Sequence, residues 1–182
     1  MASRPPRYSA AMLTTKDAML AHLASLGIDQ RTTLHPPVFT VEEAQLHTHH
    51  VPGAHCKNLF LKDRKDRLWL VTCLDDQQVD LKRLSKLVGA AGFSFGKAEL
   101  LLAVLGVTPG SVTPLAIVND TDHRVTPVLD SKLLAHEQVN CHPLQNDATT
   151  TLRSVDLLRF VRATGHEPVL VDLDLTLAEP AT

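Results

Sequence analysis

Apolar residues recur along this chain at two spacings, one typical of helices and one typical of strands. The helical spacing predicts helices beginning near residues 15, 40, 80, 97 and 154. Thr40 and Glu43 have the spacing of a capping box, in which a side chain at each position satisfies a free backbone N–H group. The other predicted caps are Thr15, Asp80 and Ser154, and the predicted helix ends are Gly27, Gly106 and Gly165.

Shorter apolar runs predict strands, and the run at 67–74 is too apolar for an exposed edge strand. A charged turn at 64–66 is expected to join 56–63 to 67–74, and a turn at 119–123 to join 115–118 to 125–129 as a hairpin. The remaining predicted strands are 94–95, 137–143, 148–152 and 168–173.

Helices and strands mix in this pattern without strict alternation. We therefore expect one α/β domain at 12–175, with a mixed, curved, barrel-like sheet surrounded by helices. Residues 1–11 and 176–182 are expected to be tails.

Composition and charge narrow the class of protein. The chain has 182 residues, of which 44% are hydrophobic and 21% charged, values typical of a soluble globular domain. It contains no run of 18 apolar residues and no apolar signal core, so we expect a cytoplasmic protein without a membrane span. The three scattered cysteines, Cys56, Cys73 and Cys141, lack a CxxC pair and are expected to be free thiols.

A net charge of −2 argues against a protein that binds nucleic acid through bulk positive charge, and DNA is not an expected partner. Two local basic clusters remain, and acidic neighbours make solvated surface charge their simplest interpretation. The first cluster comprises Lys62, Arg64, Lys65 and Arg67, and the second comprises Lys82, Arg83 and Lys86.

Nucleotide-cofactor binding and serine-hydrolase chemistry lose support because their motifs are absent. The chain has no GxGxxG or GxxxxGK[ST] phosphate loop and no GxSxG nucleophile elbow. Four histidines lie close together near Cys56, but no partnered cysteine or carboxylate has ligand spacing, so a polar loop is favoured over a metal site. These histidines are His47, His49, His50 and His55.

Three segments could carry chemistry. On the predicted strand 56–63, Lys57 shares a face with Leu59 and Leu61, and its ammonium must reach water, an anion or a ligand. Backbone N–H groups of a glycine-containing loop could hold an oxyanion. The loop comprises Gly110, Ser111, Val112, Thr113 and Pro114. The third segment contains His142, and a lone histidine is more often structural than catalytic.

Taken together, these segments resemble one family. The quoted stretches are CKNLFLKD at 56–63, GVTPGSVTP at 106–114, and HPL at 142–144 with ATT at 148–150. They resemble the YbaK/ProXp aminoacyl-tRNA deacylases, related to the editing domain of bacterial prolyl-tRNA synthetase. The resemblance runs from about residue 13 to residue 173 and is strongest to the ProXp-ala branch, which clears alanine from proline tRNA.

The resemblance implies roles for particular residues. Lys57 matches the essential lysine of the family, and Asn58 matches its adjacent asparagine and is expected to bind the substrate. Residues 110–114 match the GxxxP loop that lines the aminoacyl pocket, and His142 matches a histidine that shapes the pocket for a small side chain. Cys56 departs from the family, in which threonine is frequent at this position.

The resemblance also implies a reaction and its partners. We expect hydrolysis of Ala-tRNA(Pro) without a cofactor or a metal, with Lys57 as an electrostatic anchor and loop amides as oxyanion donors. The alternatives are deacylation of Cys- or Ser-charged tRNA, or an inactive module that binds tRNA or a synthetase. Expected partners are the tRNA acceptor end and, as an open possibility, prolyl-tRNA synthetase. Candidate phosphate contacts are Lys62, Arg64, Lys65, Lys82, Arg83 and Lys86.

Overall fold

A computed structural model describes residues 11–177, and the predicted tail residues 1–10 and 178–182 lie outside this range. The α-helices are α1 (Lys16–Ser25), α2 (Val41–Thr48), α3 (Leu81–Leu87), α4 (Ala98–Leu105), α5 (Ser131–Leu134) and α6 (Ser154–Ala163). The strands are β1 (Arg31–Leu34), β2 (Ala54–Asp63), β3 (Leu68–Leu74), β4 (Phe93–Phe95), β5 (Val125–Asp130), β6 (Gln138–Cys141), β7 (Ala148–Arg153) and β8 (Val169–Val171). Two 3₁₀ helices span Pro114–Asn119 and Leu173–Thr176.

The eight strands form one mixed sheet in the order β1-β7-β6-β2-β3-β5-β8, and β4 pairs separately with β2. The β2–β3 pair is antiparallel, whereas β3–β5, β5–β8 and β2–β6 are parallel. This confirms a mixed α/β domain with a central β3. The described strands leave β1 and β8 as the ends of an open sheet, so the barrel-like curvature does not extend to closure.

The strands of the central hairpin separate two apolar clusters because successive side chains alternate between faces. Phe60 and Leu70 point to a large cluster that also contains residues of α1, α4, α6 and the first 3₁₀ helix. Leu61 and Val71 point to a smaller cluster, which α3 and the second 3₁₀ helix help to cover. Along β2, neighbouring residues therefore face different environments.

The predicted charged turn between β2 and β3 is held by one buried carboxylate. Asp63, only 3% exposed, accepts backbone hydrogen bonds from Lys65 (2.9 Å) and Arg67 (3.0 Å) and pairs with the Arg67 guanidinium at 2.8 Å. Burial opposes ionisation, but these hydrogen bonds outweigh it and lower the pKa of Asp63. The hairpin thus fixes the register of the strand that carries the candidate site.

Local capping chemistry explains most of the helix starts. The side chains of Thr15, Thr40 and Asp80 accept hydrogen bonds from backbone N–H groups in the first turns of α1, α2 and α3, which confirms these predictions. The prediction for Ser154 was wrong, because Ser154 is the first residue of α6 and its hydroxyl donates to the carbonyl of His136. Helix α6 itself is present.

The predicted strand at 115–118 was also wrong. Pro114 begins a 3₁₀ helix there, and the Thr113 hydroxyl caps it by accepting from the Leu115 N–H group at 3.3 Å. The predicted hairpin is therefore absent, and β5 instead pairs in parallel with β3 and β8. A short apolar run fits a buried helix as well as a strand, and here Pro114 and its cap favour the helix.

Within residues 11–177, no helix is long and apolar enough to cross a membrane.

Candidate functional site

A cavity of about 230 Å³ lies between α2, the first half of β2 and the 110–114 loop. Its walls include Cys56, Asn58, Gly110, Val112 and His142, which come from three distant parts of the sequence. The volume is below the ~300–1,000 Å³ usual for drug-sized ligands. The pocket therefore suits a small group or the end of a larger substrate.

The 110–114 loop presents alternate residues to the pocket. Gly110, with φ +89°, and Val112 line it, whereas Ser111 and Thr113 are buried in the protein. Neither the Gly110 nor the Val112 backbone N–H group makes a hydrogen bond to a residue within 11–177. Unbonded amides on a pocket wall are available to stabilise developing negative charge.

Asn58 fixes this loop to the sheet. Its Nδ2 atom donates to the carbonyl of Val112 at 3.0 Å, and its Oδ1 atom accepts from the Thr72 hydroxyl at 2.7 Å. Both ends of the amide are thus engaged by the protein. In this arrangement Asn58 positions the loop, whereas the resemblance implied contact with the substrate.

His142 supplies a neutral base to the pocket wall. Its Nδ1 atom lies 3.0 Å from the carbonyl of Ala148, so the proton resides on Nδ1. Burial lowers the pKa of His142 below its ordinary value of 6.5, and nearby His35 acts in the same direction. The Nε2 atom, which makes no hydrogen bond to a described residue, is left as a proton acceptor.

Lys57 does not line this pocket. Strand alternation directs it to the face of β2 opposite Asn58, where it lies across from Cys73. It makes no hydrogen bond or ion pair with the part of the chain that the structure describes. The structure therefore joins Asn58, Gly110, Val112 and His142 in one cavity and leaves Lys57 outside its walls.

The basic residues predicted to contact tRNA do not line the pocket. The turn bearing Arg64 and Lys65 follows β2, about 20 Å along the strand from Asn58 at ~3.3 Å per residue. Lys62 forms an ion pair with Asp66 at 2.7 Å. On α3, Arg83 pairs with Asp80 at 3.9 Å and donates to the carbonyl of Thr176 at 3.2 Å, and the same short helix carries Lys82 and Lys86.

The histidine-rich segment forms ring contacts. The His47 ring stacks on His35 with 6.3 Å between centroids, and His49 meets His50 edge-on at 5.7 Å. Among residues 11–177, no group of three histidine, cysteine or acidic side chains could hold a metal ion.

The three cysteines are free, as predicted. Cys56 lines the pocket and donates from Sγ to the carbonyl of Asn140 at 2.9 Å. Burial raises the pKa of the Cys56 thiol well above 9.0 and that of Cys73 and Cys141 to about 12. A protonated thiol is a poor nucleophile, so this chemistry does not favour thiol catalysis.

Sequence reasoning missed the wall contributed by α2 and its neighbours. Phe39, Ala44, Gln45 and Asp75 all line the pocket, and the Gln45 side-chain amide donates to the Asp75 carboxylate at 3.2 Å. None belongs to the motifs that carried the resemblance. The capping box did predict α2, but the face that it turns to the pocket follows from tertiary packing.

Solved structures with a similar fold include one described as "a putative trans-editing enzyme for prolyl tRNA synthetase", with a TM-score of 0.67 and 21% identity, covering 88% of this chain and 98% of the other. A hypothetical protein of known crystal structure gives a TM-score of 0.69 at 19% identity and covers 87% of this chain and 99% of its own. At these identities the similarity concerns the fold alone.

Sequence relatives are closer. A prolyl-tRNA synthetase associated domain-containing protein 1 from Bos taurus is 45% identical over 162 residues, covering 86% of this chain and 94% of the relative. The prolyl-tRNA editing protein ProX of Acetoanaerobium sticklandii is 35% identical over 162 residues, covering 88% and 99%. The model of the aminoacyl-tRNA editing domain matches residues 35–160, which include the whole pocket. The chain therefore belongs to the aminoacyl-tRNA editing domain family.

Proposed function

We propose that the pocket hydrolyses the ester bond of Ala-tRNA(Pro), releasing alanine and tRNA. The observation that carries this proposal is the pair of unbonded amides at Gly110 and Val112, on a small cavity that also contains the neutral base His142. Family membership and a relative named as a prolyl-tRNA editing protein support the substrate class.

The proposed reaction is attack by water on the ester carbonyl. The Nε2 atom of His142 accepts a hydrogen bond from the water and takes its proton as the carbon–oxygen bond forms. The carbonyl oxygen gains the negative charge, which the amides of Gly110 and Val112 stabilise. Collapse of this intermediate breaks the bond to the ribose oxygen, which recovers the proton. One such oxyanion donor typically contributes ~3 kcal/mol to lowering the barrier.

Asp75 supplies the negative charge that an aminoacyl ester requires. The α-amino group of the substrate is free and carries a positive charge when protonated, and Asp75 places a carboxylate on the pocket wall. Gln45 orients this carboxylate through its 3.2 Å hydrogen bond. Binding of the ammonium by Asp75 would hold the ester inside the cavity that Gly110 and Val112 also line.

Size provides the selectivity. Alanine lacks two ring carbons of proline, and each missing methylene changes binding by only about 1–3 kcal/mol, so size gives a proline-binding site limited discrimination against alanine. A cavity that excludes the proline ring rejects the correct product by steric overlap. The side chains proposed to set this size limit are those of Ala44, Val112 and His142, which line the cavity.

In this proposal, Lys57 and the basic clusters contact the tRNA outside the cavity. A lysine on the face of β2 opposite Asn58 can anchor a phosphate of the acceptor end without reaching the ester. Lys62, Arg64, Lys65, Lys82, Arg83 and Lys86 would contact phosphates farther along the acceptor stem. The names of the animal relatives motivate prolyl-tRNA synthetase as a further partner.

A deacylation assay with proline tRNA charged separately with Ala, Cys, Ser or Pro tests this function. We expect hydrolysis of Ala-tRNA to be fastest and Pro-tRNA to be spared. Faster hydrolysis of the Cys- or Ser-charged tRNA would change the substrate assignment. Binding of all four tRNAs without hydrolysis would identify an inactive binding module instead.

A further inference from the structure

Phe39 is a large aromatic side chain left exposed at the mouth of the pocket. It lines the cavity, yet 70% of its surface is accessible. Phe39 immediately precedes the helix cap Thr40, where an apolar residue often packs against the fourth helical position as a hydrophobic staple. With 70% of its surface accessible, Phe39 is far less buried than such a staple would be.

The backbone around Phe39 is held on both sides. The Val38 N–H group donates to the carbonyl of Asn146 at 3.2 Å, and the Asn146 side-chain amide donates back to the carbonyl of Val38 at 2.6 Å. The Phe39 N–H group donates to the Glu43 carboxylate at 2.7 Å. The ring is thus presented on a fixed segment, which reduces the entropic cost of binding a partner.

The ring also lies close to the glycine of the 110–114 loop. A Cβ atom added at Gly110 would lie 3.2 Å from Cδ1 of Phe39. The absence of a side chain at Gly110 therefore allows Phe39 to sit beside the proposed oxyanion donors. A group bound against the exposed face of the ring would be adjacent to the reacting ester.

We propose that Phe39 is a stacking platform for the terminal base of the tRNA 3′ end, an inference that rests on the proposed function. In an aminoacyl-tRNA the ester is attached to the terminal ribose, so the base of that nucleotide must lie just outside a pocket that holds the amino acid. A fixed aromatic ring at the pocket mouth offers that base a π surface. Aromatic side chains bind unpaired bases in this way with little dependence on sequence.

Binding of uncharged RNA tests the stacking without any chemistry. The probes are two acceptor-stem minihelices, one ending in adenosine and the other in an abasic nucleotide, and fluorescence anisotropy gives their dissociation constants. The wild-type protein should bind the adenosine-ended RNA about 5- to 150-fold more tightly, the range expected for one base–aromatic stack. Phe39→Ala should bind both RNAs with the lower affinity, and Phe39→Trp should retain the preference.

Two further variants decide whether the ring itself matters. Phe39→Leu keeps an apolar side chain without a π face and should lose the preference. Phe95→Ala removes another exposed ring, 65% accessible on β4 and outside the pocket walls, and should keep it. The proposal is overturned if the wild type does not distinguish the RNAs, or if Phe39→Ala or Phe39→Leu still does. Because the RNAs carry no ester, a failure of deacylation is recognised separately.

Discussion

Replacing Asn58 with alanine should loosen the loop that carries the proposed oxyanion donors. The substitution removes the 3.0 Å bond to the carbonyl of Val112 and the 2.7 Å bond from Thr72. The bond to the Val112 carbonyl contributes about 1 kcal/mol, and leaving the fully buried Thr72 hydroxyl without its acceptor costs about 1–3 kcal/mol. We expect a loss of about 2–4 kcal/mol in the free energy of unfolding.

The effect of Asn58→Ala should appear in two measurements. The melting temperature should fall by about 5–15 °C for a domain of this size. The kcat for deacylation should fall about 10- to 100-fold at a temperature where the variant is folded, because a displacement of the loop by 1 Å is enough to misplace its donors.

Two control variants separate the effect of loop displacement on kcat from a general loss of stability. Thr72→Val removes only the hydroxyl bond, so it should lower stability but leave kcat nearly unchanged. Asn119→Ala breaks a comparable clamp outside the pocket, where the Asn119 amide donates to the carbonyls of Leu13 and Leu105 at 2.8 and 2.9 Å. It should destabilise the protein without lowering kcat. An Asn58→Ala variant with wild-type kcat would refute the positioning role.

Three further predictions follow from the same geometry. Because burial holds the pKa of His142 below 6.5, the rate of deacylation should decline as pH falls below 6.5. The free energy of unfolding should decline over the same range, because the unfolded chain binds the proton at a higher pH than the folded protein does. His142→Ala should remove this acid limb from the pH profile of kcat, and a limb that persists would exclude His142 as the base. Gly110→Ala should lower the free energy of unfolding by about 1–2 kcal/mol, because residue 110 has φ +89°, and it should also lower activity. Gly27→Ala, at φ +67° with open space around it, should cause the same kind of backbone strain without lowering activity. Equal activities of the two variants would contradict the role of the loop. Lys57→Ala should reduce deacylation, chiefly by raising KM, without lowering the melting temperature, and full activity of this variant would end its assigned role as a phosphate contact. The KM of the wild type should rise steeply with salt, because added salt weakens phosphate contacts; a KM that does not change with salt would argue against these contacts.

Local signals in the sequence were sufficient to predict the starts of α1, α2 and α3 and the central hairpin. Thr15, Thr40 and Asp80 cap their helices through bonds that span three residues, so the sequence nearby contains the cause. The segment 115–118 was misassigned because an apolar run of four residues suits a buried helical turn and a strand equally, and the cap at Thr113 decided between them.

The candidate site was predicted only in part because its walls depend on tertiary packing. Strand alternation already separated Lys57 from Asn58, whereas the resemblance assigned Lys57, Asn58 and the 110–114 loop to the same reaction. The capping box gave α2 without revealing that Phe39 and Ala44 line the pocket. The clamp from Asn58 to Val112 joins residues 54 positions apart and has no signature in either segment.

The most direct test of the central claim is the single-turnover rate of Ala-tRNA(Pro) hydrolysis after the cavity is filled. Ala44→Phe adds a ring to the α2 wall of the pocket, and Ala103→Phe makes the same change at an exposed position on α4. If the cavity binds the aminoacyl group, Ala44→Phe should lose hydrolysis by about 100-fold or more, while Ala103→Phe retains the wild-type rate. Wild-type hydrolysis by a folded Ala44→Phe variant would contradict the assignment of this pocket as the active site.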